Sequence, residues 1–174
     1  ISPRRCLLSW KISKKDKKKT DGRVINEKHQ NEVKPPGVAR TPVQKEMLNG
    51  LANYDVVCFL GSAGIGKTYI TMSEVSDWIK KGYYDKLLLT RAIIPMGRSL
   101  GRLPNKLEDK YEPHLMPMLE VLWNRYGKGW YDSCLSNGVI ELLAPEYARG
   151  RSIAGVMVID ECQNLCPDEL YTLN

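Results

Sequence analysis

The residues with the clearest chemical pattern are GSAGIGKT at positions 61–68, which match G-x-x-x-x-G-K-[ST]. Glycines within such a loop let backbone N–H groups converge on an anion without interference from a Cβ. The Lys67 ammonium can reach β- and γ-phosphates, and the Thr68 hydroxyl is suited to Mg²⁺. The residues predicted to contact bound ATP are Gly61, Ser62, Ala63, Gly64, Ile65, Gly66, Lys67, Thr68 and Tyr69.

An acidic pair, Asp160 and Glu161, follows the apolar run VMVI at 156–159. A carboxylate that ends a buried strand neighbouring the phosphate-loop strand can hold Mg²⁺, and a second carboxylate can activate water as a general base. The sequence therefore predicts Lys67, Asp160 and Glu161 as catalytic residues, with Thr68 and Asp160 as Mg²⁺ ligands. The simpler alternative is a strand end that carries two solvated carboxylates.

Other polar residues near strand ends have two interpretations each. Gln163 and Asn164 are either surface residues or sensors of the γ-phosphate. The Arg149-Gly150-Arg151 loop suits phosphate or RNA backbone contact, although solvated arginines are commoner in loops. Arg91, after the apolar run 87–89, has the same two interpretations, because strand ends in such sheets face the ligand crevice.

Alternating strands and helices are needed to position these groups. The apolar runs at 56–60, 86–90, 138–144 and 156–160 predict strands, the first of them of the continuous, buried parallel type. Periodic segments predict a helix from about residue 41, a second after the phosphate loop that stops at Gly82, and a third after Pro117. This alternation predicts an α/β P-loop fold with a mostly parallel sheet.

The basic charge is concentrated before the predicted domain. Residues 1–40 contain 12 Lys and Arg against 4 Asp and Glu, whereas residues 41–174 contain 14 against 16. Residues 1–38 are therefore predicted to be a disordered basic tail, and 39–174 the domain. The cluster Lys14, Lys15, Lys17, Lys18 and Lys19 is either a solvated tail or a nucleic-acid arm.

Cysteine usage and hydropathy indicate where in the cell the protein is expected. Five cysteines at irregular spacing favour reduced thiols in a cytoplasmic protein over disulfides or zinc. No apolar run approaches the roughly 18 residues of a membrane span, so no membrane association is expected.

Taken as a set, the motifs resemble the PhoH-like proteins, P-loop ATPases related to superfamily 1 helicases and common in bacteria and their phages. The resemblance covers about residues 40–173 and is carried by RTPVQKE, GSAGIGKT, LLLTR, LGRLPNKLEDKYEPHLMP, YARGRS and VIDECQN. The phosphate loop is generic, whereas the LGRLP, LEDK, RGR and DECQN strings in this order are specific to the family.

The resemblance implies ATP and Mg²⁺ as ligands, hydrolysis with water activated by Glu161, and Gln44 near the adenine. It also suggests RNA or single-stranded nucleic acid as a partner, and the complete protein could be a homo-oligomer. Arg98 and Ala92 depart from the family pattern, which usually has an acidic residue and a Pro there. The chain ends at Asn174, shortly after the acidic pair, and is interpreted as a domain truncated at its C-terminal side.

Gln44 has a local interpretation that needs no ligand. Thr41 can cap a helix, Pro42 can take its first position, and the Gln44 side chain can return to the Thr41 N–H as in a capping box. The alternative is an amide that accepts from adenine N6 and donates to N7.

Two other functions share the phosphate loop. One is a non-enzymatic nucleotide-dependent switch. The other is a small-molecule kinase, which would need an acceptor hydroxyl and an arginine-rich lid; residues 91–110, with Arg91, Arg98 and Arg102, are compatible with that lid. The DECQN and RGR strings argue against the kinase.

Overall fold

The computed structural model describes residues 5–12 (backbone only), 39–93, 107–147, 154–166 and 168. For residues 107–110 and 146 it likewise describes the backbone only. In chain order the elements are β1 Arg5–Ile12, α1 Pro42–Asn53, β2 Val56–Gly61, α2 Lys67–Lys80, β3 Leu87–Arg91, α3 Leu107–Tyr126, α4 Lys128–Ser136, β4 Ile140–Leu142 and β5 Gly155–Asp160.

Five strands form one sheet in the order β2-β1-β5-β3-β4. Strands β5, β3 and β4 are parallel, whereas β1 is antiparallel to both of its neighbours, β2 and β5. The predicted α/β class and the parallel character of the sheet are therefore confirmed. The expectation that the strand before the acidic pair adjoins the phosphate-loop strand is wrong, because β1 lies between them.

Strand β1 also differs from the predicted disordered tail of residues 1–38. Its segment RCLLSWKI is rich in apolar residues, unlike the charged residues 13–40 that dominated the prediction. As an interior strand, it forms main-chain hydrogen bonds along both of its edges. The lysine cluster at 14–19 lies outside the described residues.

Strand β2 is not the fully buried parallel strand that its apolar run predicted. It lies at the sheet edge, and its residues alternate between exposed and half-buried. Val57 and Phe59 pack against the main core, whereas Val56 is 48% and Leu60 66% exposed. One face of this strand is thus covered by helices and the other is open.

The core lies on both faces of β3 and β5. Leu87, Leu89, Val156 and Val158 join a large cluster with the helices. The alternate residues Leu88, Met157 and Ile159 join a smaller cluster with Leu143 and Cys162. These two central strands therefore have the continuous apolar pattern of strands buried on both faces.

The first two helices confirm their predictions. Thr41 is the N-cap of α1, with its Oγ1 accepting from the Gln44 N–H, and Pro42 takes the first turn. Helix α2 ends at Lys80, just before the turn at Gly82, and its predicted face, which includes Val75 and Trp78, is buried.

Helix α3 begins at Leu107, well before the predicted start, and contains both Pro113 and Pro117. Each proline removes one N–H donor from the helix, which is why the sequence favoured a later start. Apolar residues at 115, 118, 119 and 122 are fully buried. Burial of this apolar face stabilises the helix despite the prolines. Helix α4 was not predicted. None of the helices in the described segments could span a bilayer.

A buried polar cluster joins α2 to α3. The Asp77 carboxylate accepts from the Arg125 guanidinium and the Tyr126 hydroxyl, and all three side chains are buried. Burial, followed by the hydrogen bond to Asp77, raises the pKa of Tyr126. On α4, burial raises the pKa of the Cys134 thiol to about 11, so that thiol is protonated and unreactive at neutral pH.

We predict that Asp77→Ala lowers the free energy of unfolding by about 3–5 kcal/mol, because it removes the carboxylate from a buried guanidinium. The double variant Asp77→Leu/Arg125→Met should recover most of the loss, since it buries no charge. Urea unfolding measures both, with the exposed Asp132→Ala as control, expected within about 0.5 kcal/mol of the parent. Equal losses in the single and double variants would contradict this account.

Candidate functional site

The phosphate loop joins the end of β2 to the start of α2. Gly64 and Gly66 have φ of 83° and 90°, a conformation that residues with a side chain rarely adopt, so glycine is required at both positions. Gly66 is the N-cap of α2 and provides no side-chain acceptor, and the helix begins at Lys67. The first N–H groups of α2 and the positive end of its dipole are thus directed at the loop, the arrangement that binds anions.

Lys67 is drawn into the loop. Its Nζ donates to the carbonyl oxygens of Gly61 and Ser62, both at 2.9 Å, and the residue is only 8% exposed. A buried ammonium held against main-chain carbonyls faces the interior of the loop. Next to it in the first turn of α2, Thr68 is half-buried and Tyr69 is 48% exposed.

Gln44 contacts the loop from α1. Its Nε2 donates to the Ile65 carbonyl at 3.1 Å, and its Oε1 accepts from the Arg40 N–H at 2.8 Å. The capping box is therefore half right, because the Gln44 side chain returns to Arg40 and not to Thr41. A Cβ placed on Gly66 would lie 2.9 Å from Gln44 Nε2, so this amide packs directly against the loop.

The acidic pair occupies the end of β5. Asp160 and Glu161 are each 8% exposed, and the Glu161 N–H donates to Asp160 Oδ1 at 3.1 Å. Glu161 is the only non-glycine residue in the described segments with positive φ, at 54°. Gln163 Nε2 donates to Glu161 Oε2 at 2.6 Å, so in this structure Gln163 holds the carboxylate.

The phosphate loop and the acidic pair lie at the same end of the sheet, where β2 and β5 end. Gly61 is in register with Arg5, and Asp160 with Leu7, so the two strand ends are offset by two residues along β1. The intervening strand separates β2 from β5 by about 10 Å, which is two strand spacings.

Arg91 is a site residue for which the sequence left both interpretations open. It ends β3 and lies in register with Asp160, and its guanidinium approaches both carboxylates of the acidic pair. Tyr111, which the sequence did not indicate, bonds to the Arg91 main chain. Asn164 donates to the Ala92 carbonyl at 3.4 Å. Arg98, Arg102 and the 149–151 loop lie outside the described residues.

We predict that Gln44→Glu weakens binding of both ATP and inorganic tripolyphosphate. A carboxylate can keep the Arg40 hydrogen bond but cannot donate to the Ile65 carbonyl, so the loop loses a support whatever base is bound. Removal of such a hydrogen bond costs about 1–3 kcal/mol, or roughly 5- to 150-fold in affinity. Isothermal titration calorimetry with each ligand measures the change.

Asn49→Asp is the matched control, since it makes the same amide-to-acid change on an exposed position of α1. Both ligands should bind that variant as they bind the parent. If Gln44→Glu weakens ATP but leaves tripolyphosphate unchanged, Gln44 acts on adenine alone and the support of the loop is unimportant.

Comparison with known proteins identifies the family to which the chain belongs. The sequence model of the PhoH-like protein family matches residues 38–173. A PhoH-like protein of Bacillus subtilis strain 168 is 31% identical over 172 residues, covering 98% of this chain and 54% of that protein. Protein PhoH2 of the same strain is 34% identical over 86% of this chain and 35% of its own length.

Protein PhoH of Escherichia coli K12 is 29% identical over 75% of this chain and 38% of its own length. This chain thus spans between about a third and a half of the curated relatives it matches. The family match contains the phosphate loop, the Gln44 contact, Arg91 and the acidic pair. The chain belongs to the PhoH-like protein family and is a nucleotide-binding P-loop protein.

Proposed function

We propose that this chain binds Mg·ATP, with the triphosphate in the 61–68 loop, and that the complete protein hydrolyses it. The observation that carries the proposal is the phosphate loop itself. Two glycines with positive φ, the uncapped start of α2 and the buried Lys67 ammonium are together the elements of an anion site. Backbone N–H groups and Lys67 would bind the β- and γ-phosphates.

The donors present fit Mg²⁺. The Thr68 hydroxyl and the Asp160 carboxylate are oxygen ligands, and Mg²⁺ takes one or two carboxylates together with phosphates and several waters. Retained water matters here, because β1 separates β2 from β5 and an indirect Asp160 contact tolerates that gap. When bound, the ion neutralises negative charge on the β- and γ-phosphates.

Hydrolysis needs a base that orients water, and Glu161 is suited to that role. Its carboxylate is nearly buried and is held by Gln163, and its backbone adopts the left-handed conformation. Backbone strain of this kind is concentrated at functional sites, because it persists only where the surroundings impose it. A carboxylate that is held in place on a strained backbone favours an ATPase over a non-enzymatic switch.

We further propose RNA or single-stranded nucleic acid as the partner of the complete protein. Support comes from the dense lysine cluster at 14–19, which precedes a domain that is itself slightly acidic. Charge separated in this way suits contact with phosphates of a nucleic-acid backbone.

We expect Lys67→Ala to lower ATP affinity at least tenfold, because a buried charge-assisted contact contributes about 1.5–3 kcal/mol. Titration with a fluorescent ATP analogue in the presence of Mg²⁺ measures this. Lys80→Ala, an exposed lysine in the last turn of the same helix, should bind ATP as the parent does. Equal affinity of the Lys67 variant and the parent would overturn the assignment of the loop.

If the lysine cluster binds RNA, changing its five lysines to glutamine should reduce the dependence of binding on salt. The slope of log affinity against log salt should fall by about 0.7 for each phosphate of a single strand that the lysines no longer neutralise. Substitution is preferable to deletion, because residues 5–12 form β1 inside the sheet. An unchanged slope would identify the cluster as a solvated tail.

A further inference from the structure

The Arg91 guanidinium lies between α3 and the acidic pair. Its Nη1 donates to the His114 carbonyl of α3 at 3.0 Å and lies 3.7 Å from Asp160 Oδ2. Its Nη2 lies 3.6 Å from Glu161 Oε1. The hydrogen bond to α3 is shorter than either ion pair, so the helix sets the position of the guanidinium. The positive charge then acts on both carboxylates from a slightly longer distance.

The main chain of Arg91 is fixed as firmly as its side chain. The Ala92 N–H donates to Asp160, so in the alternating pattern of a strand the Arg91 N–H and carbonyl face β4. Strand β4 pairs with β3 only as far as Leu89. Beyond Leu89 the Tyr111 hydroxyl takes the place of β4. It accepts from the Arg91 N–H at 2.5 Å and donates to the Arg91 carbonyl at 2.8 Å.

The direct ion pairs of Arg91 are a minor part of what this arrangement does. The Arg91 side chain is 24% exposed and its ion pairs are longer than 3.5 Å, and such pairs contribute little to folding. Two adjacent carboxylates at one strand end repel each other, and a guanidinium beside both offsets that repulsion. Glu161 is then held on two sides, with Gln163 on Oε2 and Arg91 beside Oε1.

We propose that Arg91 is a positioning residue that sets the orientation of the Glu161 carboxylate, with Tyr111 and His114 of α3 as its supports. The inference rests on the proposed ATPase activity, because it assigns how the base of that reaction is held. It also connects α3 to the acidic pair, so that a shift of α3 relative to β3 would move the base.

The test is ATP turnover by the complete protein with Arg91→Gln and Arg91→Lys. Glutamine is polar but shorter than arginine, and it removes the positive charge from beside the acidic pair. We expect Arg91→Gln to lower kcat on the order of 10- to 100-fold, as misplaced catalytic groups do. KM and the affinity for a fluorescent ATP analogue should stay within about twofold, because Arg91 is not among the residues proposed to bind the triphosphate. Arg91→Lys, which restores the charge, should recover part of kcat.

Lys81→Gln removes one exposed positive charge at the end of α2 and is the matched control, with parental kcat expected. Thermal unfolding of each variant separates misfolding from misplacement, and Arg91→Lys is the variant used if Arg91→Gln does not fold. A large loss of ATP affinity in Arg91→Gln would show that Arg91 acts on ground-state binding, directly or through Asp160, and would overturn the inference.

Glu161→Gln separates the two levels of the proposal. If Glu161→Gln abolishes turnover while Arg91→Gln retains parental kcat, the positioning role is wrong and the ATPase assignment stands. If Glu161→Gln itself retains parental turnover, Glu161 is not the base, and the proposed mechanism fails together with the inference built on it.

Discussion

The parallel pairing of β3 with β5 is the constraint on which the acidic end of the site depends. Its register places Arg91 beside Asp160, and the same two strands supply apolar residues to the clusters on both faces of the sheet. If β3 slipped by one residue against β5, its two buried faces would be exchanged, and the guanidinium would at the same time move away from the carboxylates. Packing of Leu87, Leu89, Val156 and Val158 therefore fixes the geometry of the charged groups.

The phosphate loop depends on a different constraint, which is main-chain conformation. The two glycines with positive φ set the path of the loop, and Gln44 supports it through the Ile65 carbonyl. Gly66 cannot gain a side chain without meeting that amide. Helix α1 consequently supports the phosphate loop through one side chain, although it contributes nothing to the G-x-x-x-x-G-K-[ST] pattern.

Local patterns predicted the elements that local physics determines. The Thr41 cap, the start of α2 after Gly66 and the buried runs of β3 and β5 follow from neighbouring residues, and the structure confirms them. The roles of Gln44 and Tyr111 depend on partners about 20 residues away, which spacing along the chain does not reveal. The family comparisons confirm membership, whereas the assignments to Lys67, Asp160 and Glu161 remain predictions.

Strand β1 shows why composition alone did not predict a strand within residues 1–38. The charged residues that follow it dominate the average over residues 1–38, yet a strand needs only eight residues with the right neighbours. Helix α3 shows the converse, since two prolines oppose it locally and burial of its apolar face outweighs them. In α3 burial outweighs the local preference, whereas in β1 the average over a longer charged stretch concealed a short apolar segment.

Glu161 is where these constraints meet. A non-glycine residue in the left-handed region costs about 1–2 kcal/mol, which must be offset by its surroundings. The turn after it supplies that compensation, because the Asn164 N–H donates to the Glu161 carbonyl at 2.9 Å and the Asn164 side chain reaches the Ala92 carbonyl beyond β3. Strain at Glu161 is thus sustained by contacts to the end of β3, where Arg91 lies. The end of β3 therefore supports both the backbone and the side chain of the proposed base.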